Sequence, residues 1–537
     1  MEVFEIVIVL LLAGAGLAAI ARRIATPYPA LVALAGAGLA LVPRAPTLVL
    51  DPELALALFV APVLLDAAFD ASPRDLRANW RIVASLALGA VALTIAVVAV
   101  VAHMLVPGLP WAAAIALGAI VAPPDAAAAT AVLKQLRPPH RLLVILEGES
   151  LFNDASALLV YRLAVGAVLA GSLSGWSVIP MLLVVTIGSL VLGLVLSRIM
   201  LMTTTRIDDV ATAVIVQFCG TFFVWVLAER LHLSGILTVV VFAMAISRQV
   251  AEVIPARIRI PSYAVWEVAV FVLNVLAFIL VGFQLKMIIA RMERGEWIEY
   301  AWVAGAVCLA TILARIVWVT GAAGLSRWWC RPHADGSPGP KDAVALSSGA
   351  AAVVGWCGMR GTVTLAAALA LPTNFPYRDL ILFTAFAVVL GTLVVQGVTL
   401  RPLITYLKLE DDGEVEHEVR LARVETLRAA LAASADCPGG AETADLVRRR
   451  YEVLLRRAEA EFASRRPIAD GDANDETTQI WRALTMDVEI VRAATVAERQ
   501  RLAALRADGT IGDAAFQQVE QELDWEELDL QQLVRAG

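Results

Sequence analysis

An apolar stretch between Leu142 and Ala170 carries oxygen-bearing side chains at a spacing that suits cation chemistry. Ser150 and Asp154 are four residues apart, so a helix would place both on one face, with Asn153 close by. That face offers a hydroxyl, an amide oxygen and a carboxylate, and hard cations prefer oxygen ligands. The pattern therefore favours a cation or proton site at Asp154.

Two further carboxylates lie at similar depth in other apolar stretches. Asp125 follows Pro123-Pro124, a pair that interrupts a regular helix, and Asp66 lies in an earlier stretch. At 1.5 Å per residue, Asp154 is about 18 Å from one face of the bilayer and Asp125 about 21 Å from the other. In a core about 30 Å thick, all three reach the middle third. We predict a cation- and proton-binding set of Asp154, Asn153, Asp125, Ser150 and Asp66.

Glu149 is one position out of phase with Ser150, so it points elsewhere. A charge at the bilayer centre costs at least about 2.5–3.5 kcal/mol, so Glu149 needs a cation. Arg315 and Arg360 are the deeply placed arginines of the second half of the chain, and either can serve. We predict a structural ion pair drawn from Glu149, Arg315 and Arg360, although Arg360 can instead neutralise the end of a half-helix. Purely structural ion pairs remain the alternative for Asp154, Asp125 and Asp66.

These residues lie in a chain of membrane-protein composition. Of 537 residues, 59% are hydrophobic and 17% charged, and the mean hydropathy is +0.75. A soluble protein would carry about a quarter charged residues. Runs of about 20 apolar residues recur, each long enough to span a bilayer. We predict an all-α polytopic membrane protein with thirteen transmembrane helices, near 3–21, 28–48, 53–70, 82–105, 111–133, 142–170, 178–202, 209–229, 233–247, 263–288, 299–325, 344–371 and 379–406.

The distribution of charge predicts the orientation and the domains. Alternate connections between the apolar segments hold 16 Lys and Arg residues against 6, and the richer set is expected in the cytoplasm. The N-terminus is then outside and the C-terminal tail inside. Residues 1–405, with a net charge of +4, form the predicted transmembrane domain. Residues 406–537, with a net charge of −11, form a predicted acidic, helical cytoplasmic tail.

Two segments contain helix breakers at corresponding positions. The fifth contains Pro123-Pro124, and the twelfth, seven segments later, contains Gly355, Gly358 and Gly361. Discontinuous helices at corresponding positions of inverted repeats indicate a transport site. We predict two inverted six-helix repeats with discontinuous crossing helices, joined by one linking helix. Simple packing kinks are the alternative.

Other chemistry has little support. The five cysteines are isolated, and the five histidines show neither metal-ligand nor catalytic-triad spacing. The sequence lacks GxxxxGK[ST], which argues against an ATP-driven pump. We expect no enzymatic activity, no resident cofactor and no nucleic-acid partner.

Four motifs together resemble one family. The run from Glu147 to Asp154 resembles the EGES-x-x-ND signature of the bacterial cation/proton antiporter-1 family, the NhaP-like sodium/proton antiporters. Pro123–Ala126 resembles the family's broken-helix aspartate motif, and Gly358–Gly361 resembles its G-x-R-G motif. Ala61–Ala67 resembles its third-span motif. Many relatives have Thr before the broken-helix aspartate, where this chain has Pro124.

The resemblance implies a homodimer of 13-span protomers in the bacterial cytoplasmic membrane, in contact with membrane lipid. It implies that cation and proton compete for Asp154, and that Asp154, Asp125 and Ser150 ligate the transported Na⁺. It also implies that Asp66 completes the site and that Glu149 pairs with an arginine. The Asn153-Asp154 pair, in place of two aspartates, goes with electroneutral exchange in that family.

The sequence thus predicts an antiporter that exchanges Na⁺, or K⁺ or Li⁺, for H⁺ and serves sodium and pH homeostasis. Cation and proton would compete for Asp154 because each neutralises the same carboxylate, and alternating access would couple the two gradients. A proton-coupled transporter of another solute and a cation channel are the alternatives. A channel would need a continuous pore lined by rings of carbonyls or charges.

Overall fold

The computed structural model describes residues 2–24, 27–40, 54, 56–136, 138–170, 175–291, 297–329, 346–409, 413–435, 441–463 and 504, which contain helices and no strand. The chain divides into two compact units, Met1–Asp412 and Gly413–Gly537. Within the predicted transmembrane segments, residues 41–48, 53, 55 and 344–345 lie outside the described residues.

The helices of the first unit follow the predicted apolar segments. In chain order they are α1 (Glu2–Ile24), α2 (Tyr28–Ala40), α3 (Ala61–Asp70), α4 (Pro73–Ala84), α5 (Val91–Leu105), α6 (Trp111–Val121), α7 (Ala126–Leu136), α8 (His140–Ala170), α9 (Gly175–Thr204), α10 (Val210–Arg230), α11 (Gly235–Val253), α12 (Ala256–Arg291), α13 (Trp297–Trp329), α14 (Ser348–Trp356), α15 (Thr362–Leu369) and α16 (Arg378–Leu407).

Seven helical stretches within the described residues are long and apolar enough to cross a membrane: Pro73–Leu105, His140–Leu169, Leu182–Thr204, Val210–Arg230, Ile258–Ile279, Trp297–Trp328 and Arg378–Leu407. Shorter apolar helices lie at Ile8–Ala21, Tyr28–Gly38, Trp111–Val121 and Gly235–Val250. The prediction of an all-helical, multi-pass membrane protein is therefore confirmed.

The fourth segment begins earlier than the predicted start at residue 82. Ser72 caps α4, since its Oγ accepts a hydrogen bond from the backbone N of Asp75 at 3.3 Å, and Pro73 occupies the first turn. Arginines then lower the hydropathy of this first part without weakening the helix, because Arg is a good helix former. The hydropathy of the sequence therefore predicted where this helix becomes apolar, near residue 82, and not where the helix begins.

Two π-helical segments interrupt the helices, Leu56–Val60 before α3 and Ser85–Ala90 between α4 and α5. Such segments turn backbone carbonyls out of the regular ladder. In the second, Ser156 Oγ donates to the Ala87 carbonyl at 2.7 Å, and Trp318 Nε1 donates to the Ser85 carbonyl at 3.0 Å. Side chains of α8 and α13 thus satisfy carbonyls that the π-helical geometry exposes.

The helices of this unit pack as two groups. Group 1 comprises α1–α3 and α9–α12, with its densest contacts between α2 and α12 and between α9 and α11. Group 2 comprises α4–α8 and α13–α16, with its densest contacts between α5 and α6, α6 and α8, and α13 and α16. The largest buried apolar cluster lies mostly in group 2. The broken helices α6–α7 and α14–α15 therefore lie in one group.

The second unit contains two helices that pack on each other, α17 (Glu414–Ala435) and α18 (Ala441–Ala463). Val424 and Ala458 are buried, and the rings of His417 and Phe462 stack with centroids 5.2 Å apart. Arg428 Nη2 lies 2.7 Å from Glu459 Oε1 across the pair. The rest of this unit, apart from Gly413 and Ala504, lies outside the described residues.

Candidate functional site

The two broken helices meet at their breaks. The first break covers residues 122–125, where Pro123 and Pro124 lack the N–H that a helix needs, and the second covers residues 357–361. The backbone N of Asp125 donates to the Met359 carbonyl at 2.7 Å. Each break thus satisfies a polar group of the other, as a membrane interior requires.

The contact between the breaks is close at Gly361. A Cβ added there would overlap the Asp125 carboxylate, so only glycine leaves room for that side chain. Asp125 itself directly precedes α7, where the partial positive charge of a helix N-terminus favours a carboxylate.

Arg360 neutralises the C-terminal end of the first half-helix, α6. Its Nε donates to the Val121 carbonyl at 2.8 Å and its Nη2 to the Ala122 carbonyl at 3.2 Å, while Nη1 donates to the Gly358 carbonyl. The residue is fully buried. A guanidinium at this position matches the partial negative charge of a helix C-terminus.

Glu149 pairs with Arg315, through Nη1 to Oε1 and through Nη2 to Oε2 at 2.8 Å. Arg315 also donates from Nε and Nη2 to the Val354 carbonyl, at 3.2 and 3.0 Å, near the C-terminal end of α14. The relative exposures are 1% for Glu149 and 2% for Arg315, so the pair is buried. Of the two arginines that the sequence offered, the structure places Arg315 against Glu149 and uses Arg360 for the end of α6.

Asp154 and Asn153 are both buried on α8 but differ in surroundings. Asn153 Nδ2 donates to the Pro124 carbonyl at 3.1 Å, so the backbone of the first break is held by the side chain next to Asp154. Asn153 Oδ1 is buried and receives no hydrogen bond from the described residues. An unsatisfied buried acceptor costs about 1–3 kcal/mol, which a water molecule or a cation would relieve.

A cavity of ≈ 120 Å³ joins most of the predicted site residues. Asp66, Asp125, Ser150 and Asp154 line it, whereas Asn153 does not. Its walls come from both groups: α3 and α12 of group 1, and the first break, α7, α8 and α15 of group 2. The cavity thus lies at the border between the two groups.

Sequence reasoning missed several lining residues, namely Glu147, Asp70, Thr130, Asn274, Thr362 and Thr364. A signal existed for Glu147, because Glu147, Ser150 and Asp154 follow an i, i+3, i+7 stripe on one helix face. A similar signal existed for Asp70, four residues after Asp66. Asn274 had none, since its placement depends on how α12 packs against α2.

The cavity wall is acidic. Five carboxylates line it, and among the described lining residues none is Lys, Arg or His. The carboxylates are distributed along the wall, and the described residues hold no cluster of three or more His, Cys, Asp or Glu that could form a metal centre. A cavity of one charge sign attracts ions of the other, here cations.

A multi-pass helical protein with crossed broken helices and a carboxylate-lined cavity between two helix groups has the plan of a secondary transporter. Sequence comparison gives the family. A profile described as "Sodium/hydrogen exchanger, transmembrane" matches residues 7–406, and this chain belongs to that family of sodium/proton antiporters. The predicted family resemblance is confirmed, and the chain is a transporter and not an enzyme.

Relatives extend the match. An uncharacterized Na⁺/H⁺ exchanger of Mycobacterium tuberculosis is 30% identical over 98% of this chain and 96% of its own length. The sodium, potassium, lithium and rubidium/H⁺ antiporter of Bacillus subtilis is 31% identical over 75% of this chain and 62% of its own. The sodium proton antiporter MjNhaP1 of Methanocaldococcus jannaschii shares the fold, with a TM-score of 0.59 and 19% identity over 74% of this chain and all of that one.

We predict that Glu149→Ala destabilises the protein far more than Asp154→Asn does. Removing one partner of a buried pair typically costs about 3–5 kcal/mol, because the other charge is stranded. Thermal unfolding in detergent, followed by fluorescence-detected size exclusion, would measure both variants. If Glu149→Ala unfolds at the temperature of the wild type, the pair does not support the fold.

We predict that Gly361→Ala lowers exchange on the order of tenfold or more, because misplacing a group by about 1 Å in a preorganised site can cost up to about 100-fold. The new Cβ must displace either the Asp125 carboxylate or the second break. Gly321→Ala in α13 is the matched control, since its Cβ would enter open space. Equal exchange rates in the two variants, measured in proteoliposomes, would contradict the close approach.

Proposed function

We propose that this protein exchanges Na⁺, and also K⁺ or Li⁺, for H⁺ across the bacterial cytoplasmic membrane. The observation that carries the proposal is the buried carboxylate of Asp154 in an acidic cavity between two helix groups. The name of the B. subtilis relative, which includes sodium, potassium and lithium, supports the range of cations.

Competition at Asp154 would couple the two ions. A bare carboxylate is costly in a buried, apolar environment, so Asp154 holds either a proton or a cation and not both. Asp125, Ser150 and Asp66 line the same cavity and would supply further oxygen ligands to Na⁺. The buried Oδ1 of Asn153 is one more oxygen near the site. No resident cofactor is needed.

The exchange would be electroneutral, with one cation for one proton. Asn153 stands beside Asp154 where a second aspartate would add another titratable group. Asp125 lies at the N-terminus of α7, which favours its charged form throughout the cycle. Glu149 is committed to Arg315. One site that exchanges one monovalent cation for one proton moves no net charge.

The geometry of the cavity supports alternating access. From Asp154 the cavity continues along α8 to Glu147 and along α3 to Asp70, towards the side that we assign to the cytoplasm. In the other direction, Ala155 and Leu158 of α8 pack against an apolar cluster that includes Val60, Trp225 and Ile236. We infer a state open to the cytoplasm and closed to the outside. Rocking of group 2 against group 1 would reverse the access.

An ion pair between the groups lies beyond this apolar layer. Arg162 Nη2 of α8 is 2.9 Å from both carboxylate oxygens of Glu229 in α10. Glu229 Oε1 also accepts a hydrogen bond from the backbone N of Gly235 at 3.2 Å, at the start of α11. The pair joins group 2 to group 1 on the closed side, so we infer that it stabilises the closure.

The wider architecture follows the same proposal. We infer thirteen spans in two inverted six-helix repeats plus a linking helix, with the N-terminus outside and the acidic tail in the cytoplasm. We also infer a homodimer surrounded by membrane lipid. Exchange of this kind would serve sodium and pH homeostasis.

Asp154→Asn is the decisive variant for the proposed function. The amide keeps the shape of the carboxylate but cannot exchange a proton, so we expect Na⁺-dependent H⁺ movement in proteoliposomes to disappear. Na⁺, K⁺ and Li⁺ would each be tested, with internal pH followed by a fluorescent dye.

The matched control for this variant is Glu267→Gln, which changes an exposed carboxylate of α12 that does not line the cavity. We expect it to retain exchange. Unfolded Asp154→Asn protein would be recognised by size exclusion. A folded Asp154→Asn variant with exchange close to that of the wild type would refute the assignment.

A charge swap would test the closing ion pair. Arg162→Glu and Glu229→Arg each place like charges across the closed side, and an exposed pair contributes up to about 1 kcal/mol, or about fivefold. We expect each single variant to raise the maximal exchange rate by up to that factor, because opening to the outside becomes easier. The double swap should return the rate towards that of the wild type. If the exchange rate of the double swap is no closer to the wild-type rate than the rates of the single variants are, the ion pair does not stabilise the closed side.

A further inference from the structure

Helix α4 has two different faces. Arg74, Arg77 and Arg81 follow an i, i+3, i+7 stripe and are exposed to solvent or membrane. Trp80 lies on the flank of this stripe and is 59% exposed. The Arg81 guanidinium lies 5.7 Å from the centre of the Trp80 ring. We call Arg74, Arg77, Trp80 and Arg81 the basic face.

The opposite face of α4 is fastened to α8, the helix that carries Asp154. Asn79 and Val83 are buried there, and Arg141 Nε of α8 donates to Asn79 Oδ1 at 2.8 Å. The helices approach closely at Gly148, where an added Cβ would overlap Leu76 and crowd Val83. Movement of α4 is therefore coupled to the part of α8 that lines the cavity.

The basic face lies at the membrane border. The continuous helical stretch Pro73–Leu105 turns apolar directly after Arg81, and residues 82–105 would extend about 36 Å, enough to cross the hydrocarbon core. Arg77, Trp80 and Arg81 then lie within about 8 Å of that border, at the level of the headgroups. Tryptophan is enriched at this level of a bilayer.

The residues that the structure describes do not fully neutralise this face. Arg74 Nε lies 3.1 Å from Asp75 Oδ1. Neither Arg77 nor Arg81 forms an ion pair with any described residue. Both side chains are long enough to extend several ångströms from the helix towards the lipid headgroups. The phosphodiester of an anionic lipid complements them, because a guanidinium binds phosphate through two parallel N–H donors.

We propose that the basic face of α4 binds the headgroup of an anionic glycerophospholipid in the cytoplasmic leaflet. The leaflet rests on the orientation given under the proposed function. The lipid phosphate would contact Arg77 and Arg81, and Trp80 would pack beside the glycerol region. Because α4 is fastened to α8, the bound lipid would hold the moving group at the membrane surface and support the exchange rate.

Native mass spectrometry of the full-length protein would test binding directly, with phosphatidylglycerol and phosphatidylcholine added in equal amounts. We expect the wild type to retain phosphatidylglycerol preferentially, and Arg77→Gln/Arg81→Gln to lower that preference about tenfold or more. Arg198→Gln/Arg206→Gln is the matched control, since it removes two exposed arginines elsewhere on the same side. Arg77→Lys/Arg81→Lys keeps the charge and should restore part of the preference.

Exchange in proteoliposomes with increasing phosphatidylglycerol gives the functional readout. We expect stimulation in the wild type and in the control variant, and a clearly weaker response in Arg77→Gln/Arg81→Gln. Unchanged lipid preference in that variant, or an equal loss in the control, would overturn the site. Displacement of phosphatidylglycerol by millimolar inorganic phosphate would show a free-phosphate site and would also overturn it. The mass measurement does not depend on transport, so failure of the proposed function would be recognised separately.

Discussion

The structure depends on one constraint: a charge in the membrane interior must be neutralised where it lies. Breaking two helices inside the bilayer exposes carbonyls at the end of each first half. Arg360 neutralises the end of α6, and Arg315 neutralises the end of α14 while it pairs with Glu149. Both arginines are fully or almost fully buried. These two cations therefore help to stabilise the crossing of the two breaks.

The same constraint distinguishes the carboxylate that forms a structural ion pair from the one that we propose binds the transported ions. Glu149 and Asp154 are five residues apart on α8, and both are buried. Glu149 has a permanent partner in Arg315 and faces away from the cavity, whereas Asp154 opens onto the cavity. A carboxylate without a permanent cation must take a mobile one, and protons and Na⁺ are both available to it. We therefore propose that transport chemistry occurs at Asp154, because Arg315 and Arg360 already bind other groups.

Much of this arrangement could be predicted from the sequence because its signals are local. Proline pairs and clustered glycines predicted both breaks, and hydropathy predicted the apolar segments. The helical period placed Ser150 with Asp154 and put Glu149 on another face. The partner of Glu149 could not be predicted, because the rotation of α13 against α8 is set by packing over many residues. For the same reason Asn274 could not be placed in the site, while the stripe from Glu147 to Asp154 carried a signal that was missed. The early start of α4 was missed because hydropathy reports the membrane border and not the helix end.

The central claim is that a single carboxylate, Asp154, exchanges one monovalent cation for one proton. It is tested most directly by initial rates of Na⁺/H⁺ exchange in proteoliposomes whose membrane potential is set at several values with gradients of the permeant anion thiocyanate, because K⁺ is itself a proposed substrate. Vesicles that contain the Asp154→Asn variant give the leak to be subtracted. With one site and one charge in each direction, the rate and the final Na⁺ gradient should be the same at every potential. A clear dependence on voltage would contradict the claim and would mean that a second carboxylate, most directly Asp125, also carries protons.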